Sequence, residues 1–150
     1  MPVISAAGSL TAARRAAATG VGLMFDSLTT PARCRELVDT YRDAGGTGPC
    51  VLIRRAWVGA APARETERQV DTYRTYAPGG ASSHWGADEM VAATEAEEVA
   101  TRLIDAVRAA GADAVNVRVH VPGISPSAVR SQIKLLGGLV APAVAAAIRR

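Results

Sequence analysis

Asn116-Val117-Arg118-Val119-His120-Val121 alternates polar residues with valine without a break. A period of two marks a β-strand, whose successive side chains point to opposite faces. A parallel sheet covered by helices on both faces reads instead as a continuous apolar run. A strand that is valine on one side and Asn, Arg, His on the other therefore restricts the architecture. In a closed barrel the valine face meets the outer helices and the polar face points into the lumen. His120 then lies nearest the C-terminal mouth, where barrel active sites are built. An antiparallel strand with one face in water carries the same pattern and is the alternative.

The rest of the chain supplies the units such a barrel needs. An apolar run at 2–7 reads as a strand, followed by a helix over about 9–19, and a second strand covers 21–26. Ser27-Leu28-Thr29-Thr30-Pro31 then gives a loop, an N-cap and a proline in the first helical turn. That helix runs to about residue 44, where Gly45-Gly46 stops it. Residues 50–58 form the third and longest strand. The rhythm breaks over 59–93, with a polar helix at about 63–76, the stretch Pro78-Gly79-Gly80-Ala81-Ser82-Ser83, His84-Trp85-Gly86, and a short helix at 88–92. Thr94, with Glu97 three residues on, reads as a capping box for a helix that ends at Gly111. The strand 114–121 follows, and Ser125-Pro126 opens a last helical region to 148. Strand and helix four times over implies an α/β fold of four parallel strands with right-handed crossovers. No shift of composition marks a linker, so residues 1–150 form one unit. The 59–93 insertion is long for a strand-to-helix loop, which is the habit of lids and binding elements as well as of plain surface insertions.

Composition excludes several classes. The chain is 49% hydrophobic and 21% charged, which is globular. Its formal charge of +3 comes from scattered arginines set beside acids, as in Ala63-Arg64-Glu65-Thr66-Glu67-Arg68, and only 4% of residues are aromatic. That is a solvated surface rather than a nucleic-acid stripe. Cys34 and Cys50 lack CxxC spacing and read as buried free thiols; with His84 and His120 they make no metal-ligand pattern. The opening MPVISAAGSL has no basic start or long apolar stretch, so no signal peptide is expected. The apolar stretch 135–148 contains Pro142 and is too short to span a bilayer. A cytoplasmic location with no membrane partner is the resulting expectation.

The first strand–helix junction, Ala6-Ala7-Gly8-Ser9, is small at every position. Backbone N–H groups and the positive end of a helix dipole make such a junction a phosphate site. Gly8 allows close approach, and Ser9 and Thr11 add hydroxyls. A plain tight turn is the competing reading.

The pieces SAAGSLTAARRAA, GLMFDSL, RELVDTYRDAGGTGPCVLIRRAWVG, QVDTYRTYA and AEEVATRLIDAVRAAGADAVNVRVHVPG, with the closing helix, cover nearly the whole chain. In this order they resemble the C-terminal half of the luciferase-like monooxygenase family, most of all its flavin- or coenzyme F-420-dependent oxidoreductases. The resemblance implies a (β/α)8 barrel whose fifth to eighth strands are the four found here. It also implies FMN or coenzyme F-420 at the C-terminal mouth and a small organic substrate beside it. The turn after the family's fifth strand contributes to the cofactor's phosphate end, which falls here on Ala7, Gly8, Ser9 and Thr11. His120 and the insertion would face the substrate, and Arg118 and His120, lining the lumen, are the candidates for a catalytic part. The sequence departs from the family in having no counterpart of the first four β/α units, which supply much of the ring pocket. Half a barrel leaves two strand edges unpaired, so a homo-oligomer or a complementary half-barrel is expected. The alternative function is a non-catalytic remnant or partner subunit. A self-contained four-stranded domain is a third reading, against which the alternation at 116–121 speaks.

Overall fold

The computed structural model describes residues 3–76 and 90–148. Five strands, β1 (Ile4–Ala6), β2 (Gly22–Phe25), β3 (Cys50–Val58), β4 (Val91–Ala93) and β5 (Ala114–Arg118), all pair in parallel. Between them run α1 (Leu10–Ala18), α2 (Pro31–Asp43), α3 (Ala63–Tyr76) and α4 (Ala96–Ala110). The chain closes with α5 (Pro126–Leu135), a π-helical turn (Leu136–Val140) and α6 (Ala141–Ile148).

The long strand β3 is the spine. Cys50 to Leu52 pair with β2, Val51 to Arg55 with β5, and Ala56 to Val58 with β4. Its alternation sorts the two faces. Cys50 and Leu52 join Leu23 and Phe25 of β2 in a core closed by Cys34, Leu37, Val38 and Tyr41 of α2, Ala13 and Ala16 of α1, and Val107 and Ala110 of α4. Ala56 belongs to a second core with Val99, Ala100 and Leu103 of α4 and Leu136, Val140 and Val144 of the closing helix. Val115, Val117 and Val119 pack half-buried beside that core, whereas Asn116, Arg118 and His120 are exposed. The valine face therefore lies under helices and the polar face turns away from them, as a half-barrel requires. Parallel pairing of β5 with β3 removes the antiparallel alternative.

Local chemistry fixes the joints. Thr30 caps α2 by accepting from Arg33 N–H, with Pro31 in the first turn, and Ser125 does the same for α5 ahead of Pro126. The Tyr41 hydroxyl donates to Val21 O at 3.0 Å and accepts from Gly48 N–H at 2.7 Å, locking α2 to the entry of β2. A Cβ on Gly46 would stand 2.4 Å from the Tyr41 ring, so glycine there is a packing requirement. At the start of β5, Asp113 accepts from Cys50 N–H at 2.8 Å and from Arg42 at 2.7 Å.

Three expectations need correction. The segment expected as a helix at 88–92 is, where described, the strand β4; its three residues lie on Ala56 to Val58 of β3, and ladder pairing overrides the weak helical signal of an alanine-rich run. The sheet therefore has a fifth short strand beyond the four read from the sequence. The Thr94–Glu97 capping box is not formed: Glu95 occupies the N-cap of α4 and makes no side-chain cap bond. Finally, the apolar stretch 135–148 is not a short one: it is continuous with α5, and the helix runs on through Pro142 as far as 148. In the preceding π turn Ala141 N–H donates to Leu136 O, five residues back, and this wider turn is where the helix takes in a residue that has no N–H to give. The result is a continuous helix, Pro126–Ile148, of 23 residues, long and apolar enough by length and composition alone to cross a membrane.

Beyond the packing of that helix in the second core, Gln132 hydrogen-bonds it to the sheet. Gln132, 6% exposed, donates through Nε2 to Val58 O at 2.8 Å and accepts at Oε1 from Val58 N–H at 2.9 Å. The amide takes the place of a neighbouring strand at the end of β3. Gln132→Leu should lower unfolding free energy by about 2–4 kcal/mol in urea titrations, since it orphans two backbone groups at once. A loss under about 0.5 kcal/mol, the range of ordinary surface changes, would show that water replaces the amide.

Candidate functional site

Two places at the C-terminal ends of the strands carry polar chemistry. The first is where β1 hands over to α1. Ala7 is buried in the core, while Gly8, Ser9 and Thr11 are exposed. Ser9 caps the helix: its Oγ accepts from Ala12 N–H at 3.2 Å and its carbonyl from Ala13 N–H at 3.0 Å. The Ser9 hydroxyl proton remains available as a donor. The N–H groups of Leu10 and Thr11, first in the helix, have no carbonyl within it to bond. A Cβ built on Gly8 meets nothing within 4 Å. Packing therefore does not demand glycine here, and the space in front of the turn is open to a ligand.

A residue that the sequence reading missed completes this place. Arg33 of α2 donates to Gly8 O at 3.3 Å and pairs with Glu36. Its side chain is 16% exposed, and its Nε is buried with no hydrogen-bond partner among the described residues. It brings a guanidinium against the turn from 25 residues away, a separation that no local pattern encodes.

The second place is the mouth. The register sets Arg55 of β3 beside Arg118 of β5. Arg55 is 2% exposed, with its guanidinium over the Tyr73 ring at 5.9 Å. A cavity of about 300 Å³ is lined by Arg55, Gln69, Tyr73, Arg118, Val119 and His120. The structure thus brings Arg118 and His120 to one cavity, and α3 of the insertion forms its other wall. Arg55 had a sequence signal: Arg54-Arg55 interrupts an otherwise apolar strand. The neighbour Arg54 serves the opposite face, donating to Ile53 O at 2.8 Å and Thr29 O at 2.9 Å. It thereby holds the β2–α2 loop, in which Asp26 accepts from Leu28 and Thr29 N–H.

The two places share one end of the sheet, but β2 stands between β1, which carries the first, and β3, which with β5 carries the second. The Ala7–Thr11 turn offers N–H and hydroxyl donors to an anion; the mouth offers cations, an imidazole and a phenol. His84 lies outside the described residues. Among the described residues no three of His, Cys, Asp and Glu gather as metal ligands. Cys34 and Cys50 are both buried and free.

Comparisons with known proteins place this geometry. No family model matches the chain, and no curated protein does. Solved structures do. The monooxygenase RslO1 from Streptomyces bottropensis superposes with a TM-score of 0.64 at 16% identity, over 94% of this chain and 47% of the other. An F420-dependent secondary alcohol dehydrogenase, solved with an F420-acetone adduct, gives 0.64 at 16% identity over 96% and 49%. The EDTA monooxygenase of Chelativorans sp. BNC1 gives 0.56 at 18% identity over 96% and 44%. The chain spans about half the length of the structures it matches. At these identities the likeness is one of fold. It supports the luciferase-like resemblance at that level, and the fold is the C-terminal half of a (β/α)8 barrel.

Beneath the β2–α2 loop, burial pushes the Cys34 thiol from 9.0 up to about 11, although Arg54 beside it pulls the other way. Burial also raises Cys50. A raised thiol leaves the folded state holding a proton that the unfolded chain gives up, so stability falls as pH rises from about 9 to about 11. Melting temperature followed from pH 8 to 11 should drop more steeply for the wild type than for Cys34→Ala. Parallel slopes would remove Cys34 as a source of alkaline lability.

Proposed function

We propose that this chain is the phosphate-holding half of a flavin-dependent oxidoreductase or monooxygenase, using FMN or coenzyme F-420. The observation that carries the reading is the open turn at Gly8. A helix start with free N–H groups, a spare Ser9 hydroxyl, the nearby Arg33 guanidinium and empty space where a Cβ would stand suits a phosphate. The barrel likeness to an F420-dependent dehydrogenase and to monooxygenases supports the same chemistry. Ala7, Gly8, Ser9 and Thr11 would hold the phosphate end. The bound cofactor supplies hydride transfer or oxygen activation. The chain's own residues would orient it and set the local field.

At the mouth, Arg118 and His120 would meet a small organic substrate, with Tyr73 and Gln69 of the insertion limiting the space. His120 can accept or donate a proton there, and Arg118 can hold an anionic group. A second reading, a binding subunit without turnover of its own, is favoured by the half-length match to the solved structures.

Gly8→Asp is the direct test, because it adds bulk and negative charge without a packing penalty. Fluorescence or absorbance titration with FMN and with F-420 should show binding in the wild type and its loss in the variant, while the thermal melt stays put. Equal affinity in both would remove the turn from the cofactor site. His120→Ala should leave folding unchanged and reduce turnover of the assembled enzyme; equal loss of melting temperature and rate would make the imidazole structural. Cofactor binding with no turnover in any assembly would favour the binding-subunit reading.

A further inference from the structure

The mouth cavity gathers polar groups that the packing of the sheet does not call for. Its volume, about 300 Å³, stands at the lower end of the range for sites that bury a small organic ligand. Arg55 and Arg118 are register partners on neighbouring parallel strands, so their side chains leave the sheet on one face, from backbones roughly 4.8 Å apart. Their surroundings differ. Arg55 is 2% exposed, lies over the Tyr73 ring and forms the most buried part of the wall. Arg118 is exposed, and among the described residues it pairs with no carboxylate. No Asp or Glu among the described residues lines the cavity. His120, exposed as well, follows Arg118 on the same face two residues on. On the α3 wall, Gln69 has its Oε1 buried with no hydrogen-bond partner among the described residues. A buried acceptor of this kind calls for a donor.

We propose that the mouth selects a small organic acid: its carboxylate bonds Arg118, and a hydroxyl or amine group of the same molecule donates to Gln69 Oε1. The inference rests on the reading of the mouth as the substrate side and deepens it by naming the substrate class. A guanidinium is always charged and presents paired N–H groups at the spacing of a carboxylate's two oxygens. Arg118 is the cation that a ligand reaches, whereas Arg55, held against Tyr73, gives the cavity a fixed wall. His120 stands next along the strand and can add an N–H donor to the same anion. The Gln69 acceptor then separates an acid that carries a hydroxyl or amine from one that does not. Leaving a buried acceptor unmet is penalised more heavily than a missed contact between apolar groups.

The test is a nuclear magnetic resonance titration of the ¹⁵N-labelled chain, without cofactor, against lactate, lactamide and propionate. Lactate should shift the Arg118 Nε–H and Gln69 side-chain amide signals. Lactamide, which lacks the charge, and propionate, which lacks the hydroxyl, should each bind roughly tenfold or more weaker. Arg118→Gln should erase the preference for lactate over lactamide, and Gln69→Leu the preference over propionate, both with wild-type circular dichroism. Equal binding of lactate and lactamide, preferences that survive in both variants, or tighter binding of inorganic phosphate at Arg118 overturns the proposal. So does cofactor binding by a chain that lactate does not shift, which leaves the phosphate turn standing. Lactate selection in a chain that binds neither FMN nor F-420 would instead remove the cofactor reading and keep the acid site.

Discussion

Everything in this fold hangs on β3 facing two ways at once. Its even positions must fit under helices and its odd positions must not, and the residues comply: Cys50, Leu52 and Ala56 enter the cores, while Arg55 turns to the mouth. The pairing of β3 with β5 passes that division to the next strand, so Arg118 follows Arg55 and Val117 follows Arg54. A slip of one residue would bury Arg118 under α4 and bring the valines to the mouth. Three restraints oppose such a slip. Asp113 bonds Cys50 N–H at the start of the pair, its own N–H bonds Cys50 O, and Gln132 closes on Val58 at the end of β3.

The residues that set the face were legible because β-strand alternation is a local property. Six residues, Asn116 to Val121, are enough to tell a helix-covered face from a polar one. The helix starts at Ser9, Thr30 and Ser125 were legible for the same reason: an N-cap needs only its own first turn. What could not be read depends on partners far along the chain. Glu95 rather than Thr94 caps α4, and the alanines at 92 and 93 become strand because β3 presents an open ladder there. The π turn that lets the helix run through Pro142 is equally contextual.

The candidate site divides the same way. Gly8, Ser9 and Thr11 announce themselves as a small-residue turn ahead of a helix, and the structure adds that Gly8 is not needed for packing. Gly46 provides the contrast, since Tyr41 occupies the space its Cβ would take. One glycine serves the fold, whereas the other leaves room outside it. Arg33 and Tyr73 were invisible to local reading, since each reaches its place through tertiary structure: Arg33 across from α2, Tyr73 down from the insertion.

A self-contained sheet usually blunts its edges with charge, proline, a bulge or a covering helix. Here β1 is short but opens on exposed Ile4, with exposed Val3 before it, and the helix beside β5 offers an apolar groove rather than a sealed seam. The chain can protect an exposed strand end, for Gln132 does so at Val58 with a single amide. That amide closes the end of β3, whereas the exposed apolar residues collect at β1 and along the closing helix. The polar face keeps to the same division: Arg118 and His120 stand exposed at the mouth, away from the helix-covered valines.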